Sequence, residues 1–129
     1  MKQMLFTVCG RVIRGTHIGR RLGFPTANLD RKTQCTDKRR LPHGIYGGVV
    51  TLPDGKKTYR AGIVIGPLDK KGLPKIEAHL LNFSGNLYGK KLCLTAMRYV
   101  RAFKVFKSEE ALKKQIAKDL ANVRAIITR

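Results

Sequence analysis

Five stretches of the chain, 5–13, 44–52, 57–65, 75–83 and 91–103, read as strands from the spacing of their apolar and polar residues and their content of Val, Ile, Tyr and Phe. The second and third flank Pro53-Asp54-Gly55, a turn, and predict a hairpin. The fourth and fifth are joined through Ser84-Gly85-Asn86-Leu87-Tyr88-Gly89, which is rich in turn residues. No helical period separates these runs, so the pattern points to an antiparallel barrel and not to alternating βα units. The period changes near the end. Ser108 is suited to cap a helix, Glu109 and Glu110 suit its positive end, and Leu112, Ile116, Leu120, Val123 and Ile127 recur at steps of three or four. That stripe is expected to pack on the barrel as core.

A chain of 129 residues is long enough for one domain with one core, and the expectation is a single domain over 1–129. No apolar run reaches the roughly 20 residues of a membrane span, and the start of the chain is too briefly apolar before Arg11 for a signal peptide. A cytoplasmic protein with no membrane partner is expected. Cys9, Cys35 and Cys93 are odd in number and widely separated, so they are expected to be reduced, Cys9 and Cys93 serving as small core residues.

Charge changes the picture most: 27 Lys and Arg against 8 Asp and Glu give a formal +19. Such a surface attracts polyanions. The basic residues nevertheless come as short groups at turns, Trp is absent, and aromatic residues make up only 7%, which disfavours a platform for stacking single-stranded bases. A solvated cationic surface is the expectation, with specific nucleic-acid binding as the alternative.

Two places hold candidate chemistry. The segment Gly19-Arg20-Arg21-Leu22-Gly23-Phe24-Pro25-Thr26-Ala27-Asn28 shows neither helical nor strand period. Its glycines permit close backbone approach, its arginines present donor forks to phosphate, and Thr26 and Asn28 offer oxygens to a hard cation. The same composition also suits a basic surface turn. Elsewhere, Glu77 is the one acid that interrupts a strand-like run; the other acids lie in turns or on the terminal helix. Period two places Glu77 and His79 on one face of that run and Ile76, Ala78 and Leu80 on the other. A carboxylate there can serve as a base, or can face water and pair with a neighbouring cation. Gly15-Thr16-His17-Ile18-Gly19 lacks the Gly-Lys-Ser/Thr of a Walker loop, and His17, His43 and His79 lack metal-ligand spacing, so they are read as ordinary polar side chains.

In order and nearly end to end, several blocks resemble riboflavin kinases: Gly10-Arg11-Val12 with Gly15, the Gly19-to-Asn28 segment, Leu41-Pro42-His43-Gly44-Ile45-Tyr46, Ile76-Glu77-Ala78-His79-Leu80-Leu81, Leu87-Tyr88-Gly89-Lys90 and the start of the helix. The Gly-Phe-Pro-Thr-Ala-Asn block carries most of the specificity. The resemblance implies a six-stranded Greek-key barrel with a C-terminal helix and transfer of the ATP γ-phosphate to the ribityl 5′-hydroxyl of riboflavin, giving FMN and ADP. It further implies Glu77 as base, Thr26 and Asn28 as ligands of Mg²⁺ or another divalent cation, and Gly15, Gly19, Arg20, Gly23, Pro25 and Thr26 around the nucleotide. Arg101 and Phe106 would lie against the flavin. The chain departs from the family pattern at Val64-Ile65-Gly66-Pro67-Leu68-Asp69 and at Arg101-Ala102-Phe103, both on the flavin side. Many bacterial relatives carry an adenylyltransferase domain upstream; none is read here, and a monomeric, monofunctional kinase is expected. The alternatives are a basic barrel that binds nucleic acid without catalysis and a flavin-binding module without turnover.

Overall fold

The computed structural model describes residues 4–14, 24, 26–30 and 41–127. Six strands, β1 (Phe6–Ile13), β2 (Thr26–Leu29), β3 (Gly44–Thr51), β4 (Thr58–Leu68), β5 (Pro74–Leu80) and β6 (Lys91–Arg101), close into an antiparallel barrel in the order β1-β2-β5-β4-β3-β6. A C-terminal helix, α1 (Glu109–Ile126), packs on the outside of the barrel. Five of the strands follow the apolar pattern. β2, only four residues long, lies inside the segment that the sequence presents as a loop, because Gly23 and Pro25 mask so short a run. β4 also runs on to Leu68, past the end that its apolar pattern marks. Gly15, Gly19, Arg20, Gly23 and Pro25 lie outside the described residues, as do His17 and Cys35.

Alternation puts one set of side chains inside the barrel. Val8 and Val12 of β1, Ala27 and Leu29 of β2, Val50 of β3, Ile63 and Ile65 of β4, Ile76, Ala78 and Leu80 of β5, and Leu92, Leu94 and Ala96 of β6 form one continuous buried cluster. The hairpin between β3 and β4 forms as expected, and Asp54 holds its tip by accepting from the backbone N–H groups of Lys56 and Lys57. These bonds keep the Asp54 carboxyl below its ordinary range.

A second apolar cluster lies between the barrel's outer face and α1, with Ile116, Leu120, Val123 and Ile127 buried against Leu81 and flanked by Val49, Met97 and Leu112. Each aliphatic side chain buried in this way contributes about 1.5–3 kcal/mol. Ser108 caps the helix as its sequence position indicates, its hydroxyl accepting from the Ala111 N–H at 3.1 Å. The helix can come close because Gly47 of β3 and Gly62 of β4 are register partners. A methyl group at Gly62 would stand 3.2 Å from Leu120, and one at Gly47 would stand 3.3 Å from Val123 and Ile127.

The cysteines depart from expectation. Cys9 and Cys93 are directly opposite each other on β1 and β6, their Cα atoms 4.1 Å apart, and they form a disulfide. Both are half-buried on the outward face and are not core residues. Their separation of 84 residues in the chain conceals a pairing that only the strand register creates. No helix among the described residues is long and apolar enough to cross a membrane.

Among the described glycines, Gly48 leaves the least room for a side chain. It sits at the register shift between β3 and β6, and a Cβ there would collide with the carbonyl oxygen of Thr95. Gly48→Ala should therefore destabilise the fold by roughly 1–3 kcal/mol, the usual range for overpacking. Gly62→Ala, which meets only the movable end of Leu120, should cost less. Urea denaturation of both variants checks the order; equal midpoints would show that the wall yields at Gly48.

Candidate active site

β2 and β5 are antiparallel neighbours, and their register places Thr26 opposite His79, Ala27 opposite Ala78 and Asn28 opposite Glu77. Ala27 and Ala78 point into the barrel and are fully buried, so the polar four project together from its outer surface. Two short i,i+2 pairs, Thr26 with Asn28 and Glu77 with His79, thus become one four-membered polar block. Sequence spacing shows each pair; only the sheet brings them together.

The block is not wet. Glu77 and His79 are each only 6% exposed, which excludes the solvated-face reading of this strand. Their cover comes from α1 and from the chain leading into it, which with β4 and β5 enclose a cleft of about 410 Å³. Gly62, Val64, Lys75, Glu77 and His79 lie along the β4–β5 side, and Leu112, Ile116 and Leu120 along the helix side. Phe103, Lys104, Val105, Phe106 and Lys107 form the lip. The helix stripe expected only as core therefore has a second role, lining the cleft.

A buried carboxylate needs partners, and Glu77 has two. Its Oε1 lies 3.0 Å from His79 Nε2 and its Oε2 lies 3.0 Å from Lys75 Nζ. Burial pushes its carboxyl up; the hydrogen bond from His79, the electrostatic influence of that ring and the Lys75 ammonium outweigh burial and hold it at about 2. At neutral pH Glu77 is an ionised hydrogen-bond acceptor. The other ring nitrogen of His79, Nδ1, lies 3.0 Å from Thr26 Oγ1, and Thr26 also donates to the Phe24 carbonyl at 2.9 Å. His79 is thus not an ordinary polar side chain. It and Lys75 are the site residues that sequence reasoning passes over, although the equal i,i+2 spacing of the two pairs was a visible signal.

Arg101 lines the cleft, yet its guanidinium is committed elsewhere. Nε donates to Asp119 Oδ1 at 3.0 Å and Nη2 to Oδ2 at 2.8 Å, while Gln115 adds a bond to Oδ1 at 2.9 Å. This fork ties the end of β6 to α1 and fixes the cleft's width. Phe106 lines the lip with the Arg101 guanidinium 5.6 Å from its ring centroid. Thr26 and Asn28 present a hydroxyl and a carboxamide on one face of β2, a neutral oxygen pair suited to a hard cation that keeps most of its water and phosphate ligands.

The depressed pKa of Glu77 has a stability consequence. Its folded value lies below the ordinary 4.5, so the pairing stabilises the native state above pH 4.5, and that contribution disappears as pH falls toward 2. The shift corresponds to about 3 kcal/mol. In thermal melts the native protein should lose its advantage over Glu77→Gln across this window; a constant difference would show that the ion pairs do not form.

A family model described as Flavokinase: Riboflavin kinase matches residues 3–127. A bifunctional riboflavin kinase/FMN adenylyltransferase from Buchnera aphidicola subsp. Schizaphis graminum is 34% identical over 122 residues, covering 92% of the chain and 38% of that protein. The RNA-binding riboflavin kinase RibR of Bacillus subtilis is 34% identical over 117 residues, covering 90% of the chain and 49% of RibR. The chain thus spans between about two fifths and half the length of these curated relatives. Among solved structures, riboflavin kinase from Trypanosoma brucei superposes with a TM-score of 0.66 at 22% identity, over 96% of this chain and 78% of that one. A macrolide-efflux protein from Streptococcus pneumoniae superposes with a TM-score of 0.79 at 25% identity, over 92% and 38%.

Proposed function

Since the chain belongs to the riboflavin kinase (flavokinase) family, we propose that it transfers the γ-phosphoryl group of ATP to the ribityl 5′-hydroxyl of riboflavin. The observation that carries this reading is that Glu77 and His79 line an apolar cleft while their register partners on β2, Asn28 and Thr26, stand directly opposite them. Riboflavin enters the cleft with its ring system between the β4–β5 floor and the α1 wall, Phe106 at the lip, and its 5′-hydroxyl toward Glu77. Arg101 acts on the flavin side through the width of the cleft, because its Nε and Nη2 bond Asp119 and its Nη1 donates to the Ala102 carbonyl. Gly15, Gly19, Arg20, Gly23 and Pro25 surround the nucleotide phosphates in this reading. The surplus of 27 Lys and Arg over 8 Asp and Glu raises the local concentration of anionic nucleotide.

The 5′-oxygen forms a bond to the γ-phosphorus as the bond from phosphorus to the β–γ bridging oxygen breaks; the hydroxyl proton passes to Glu77 and ADP leaves. A carboxylate held near 2 is too weak a base to remove that proton beforehand. Glu77 instead orients the hydroxyl and accepts the proton late, once the new O–P bond has made it acidic, which suits a loose transition state. Thr26 and Asn28 would hold the divalent cation, Mg²⁺ in this reading, which when bound would neutralise charge on the phosphates. One carboxylate is enough for this chemistry.

Purified protein given riboflavin, ATP and Mg²⁺ should form FMN and ADP, resolved by chromatography. Glu77→Gln should lower kcat by roughly 10²–10⁴ with a much smaller change in riboflavin affinity. Near-normal kcat in that variant would remove Glu77 from the mechanism. Thr26→Val and Asn28→Leu delete oxygen ligands at similar volume, so each should raise the Mg²⁺ concentration for half-activity and weaken nucleotide binding more than flavin binding. Metal titration curves that coincide with the parent's would leave these side chains as shapers of the strand.

A further inference from the structure

We propose that His79 is the positioning residue that fixes the distance between the two ends of the phosphoryl-transfer site, one ring nitrogen holding Glu77 and the other holding Thr26. The inference rests on the kinase reading above and goes beyond it, since neither proton acceptance nor cation binding requires a residue joining the two.

The geometry is specific. His79 Nε2 lies 3.0 Å from Glu77 Oε1 on its own strand, and Nδ1 lies 3.0 Å from Thr26 Oγ1 on the neighbouring strand. The ring is 6% exposed, so its nitrogens have little access to water, and both meet residues of the proposed site. Room for the ring comes from the register: its partner on β4 is Gly62, which has no side chain, while its partner on β2 is Thr26. The edge of Phe24 closes another side, with ring centroids 6.3 Å apart at an interplanar angle of 67°. A histidine that only filled space would need none of this alignment.

The consequence is mechanical. On the kinase reading Glu77 would face the attacking hydroxyl, and Thr26 would help hold the cation that binds the phosphates. Transfer requires attacking oxygen and phosphorus to meet in line, and errors of about 1 Å are costly. Thr26 Oγ1 lies 2.9 Å from the Phe24 carbonyl and 3.0 Å from His79 Nδ1, so the hydroxyl is held between two fixed partners and its position is set. A single rigid ring therefore sets the orientation of the base and of the cation ligand together. A flexible side chain of equal polarity could satisfy either partner but would leave their spacing free.

Two conservative substitutions separate the arms. In His79→Asn the carboxamide stands at the level of Nδ1 and keeps a partner for Thr26, but nothing reaches Glu77. In His79→Gln the amide reaches the level of Nε2 and keeps a donor for Glu77, but contact with Thr26 is lost. The expected result is a crossed pattern. His79→Asn should lose at least tenfold in kcat with MgADP affinity, measured by calorimetry, changed about twofold or less. His79→Gln should lose at least tenfold in MgADP affinity with the smaller loss in kcat. Adding Glu77→Gln to His79→Asn should lower kcat little further than Glu77→Gln alone.

Equal loss of both quantities in the two variants would overturn the proposal, as would parent-like behaviour of both. Loss of the cooperative melt in both would make His79 a structural residue and overturn it as well. If the parent protein forms no FMN, the kinase reading itself fails; the calorimetric comparison still tests the Thr26 arm, because MgADP binding needs no turnover.

Discussion

The antiparallel register between β2 and β5 is the constraint on which the rest depends. It places Thr26 opposite His79 and Asn28 opposite Glu77 while turning Ala27 and Ala78 inward. A slip of one residue would exchange the faces, sending a carboxylate and an imidazole into the apolar barrel and two alanines outward. Ionised Glu77 in that interior would cost several kcal/mol without partners, so the register that builds the polar block is also the one the core enforces. Fold stability and site geometry share a single choice of alignment.

An outward-facing polar block on a barrel would ordinarily be flooded. Here the paired glycines Gly47 and Gly62 let α1 lie close to the sheet, and the Arg101–Asp119 fork anchors the helix to the end of β6. The helix does not close completely, and the remaining space is the cleft. Low polarity around Glu77 strengthens its bonds to His79 and Lys75, while those bonds keep it ionised in spite of burial. The site is therefore dry enough for electrostatics to act over short distances and still open to a ligand.

The sequence made much of this legible. Alternation located five strands, and steps of three and four located the helix with its Ser108 cap, because these patterns are local. Glu77 stands out as the only acid inside a strand-like run, an unusual placement that the structure explains by giving it Lys75 and His79 as partners. β2 escaped because four residues beside Gly23 and Pro25 carry too little pattern. His79 was passed over for a different reason: its significance lies in contacts across 53 residues of chain, which spacing along one strand does not reveal. The Cys9–Cys93 disulfide is hidden in the same way, as is the ion pair by which Asp119 holds Arg101 at the edge of the cleft. The Gly15-to-Pro25 positions lie largely outside the described residues, so their roles rest on the sequence resemblance.

The most direct test is a crystal structure of the protein with MgADP and riboflavin bound together. The account requires the flavin ring in the cleft between β4–β5 and α1, with its 5′-oxygen about 2.6–3.2 Å from a Glu77 carboxylate oxygen and directed toward the β-phosphate of ADP. Riboflavin bound at another surface, or in the cleft with its 5′-oxygen turned away from Glu77, would contradict it.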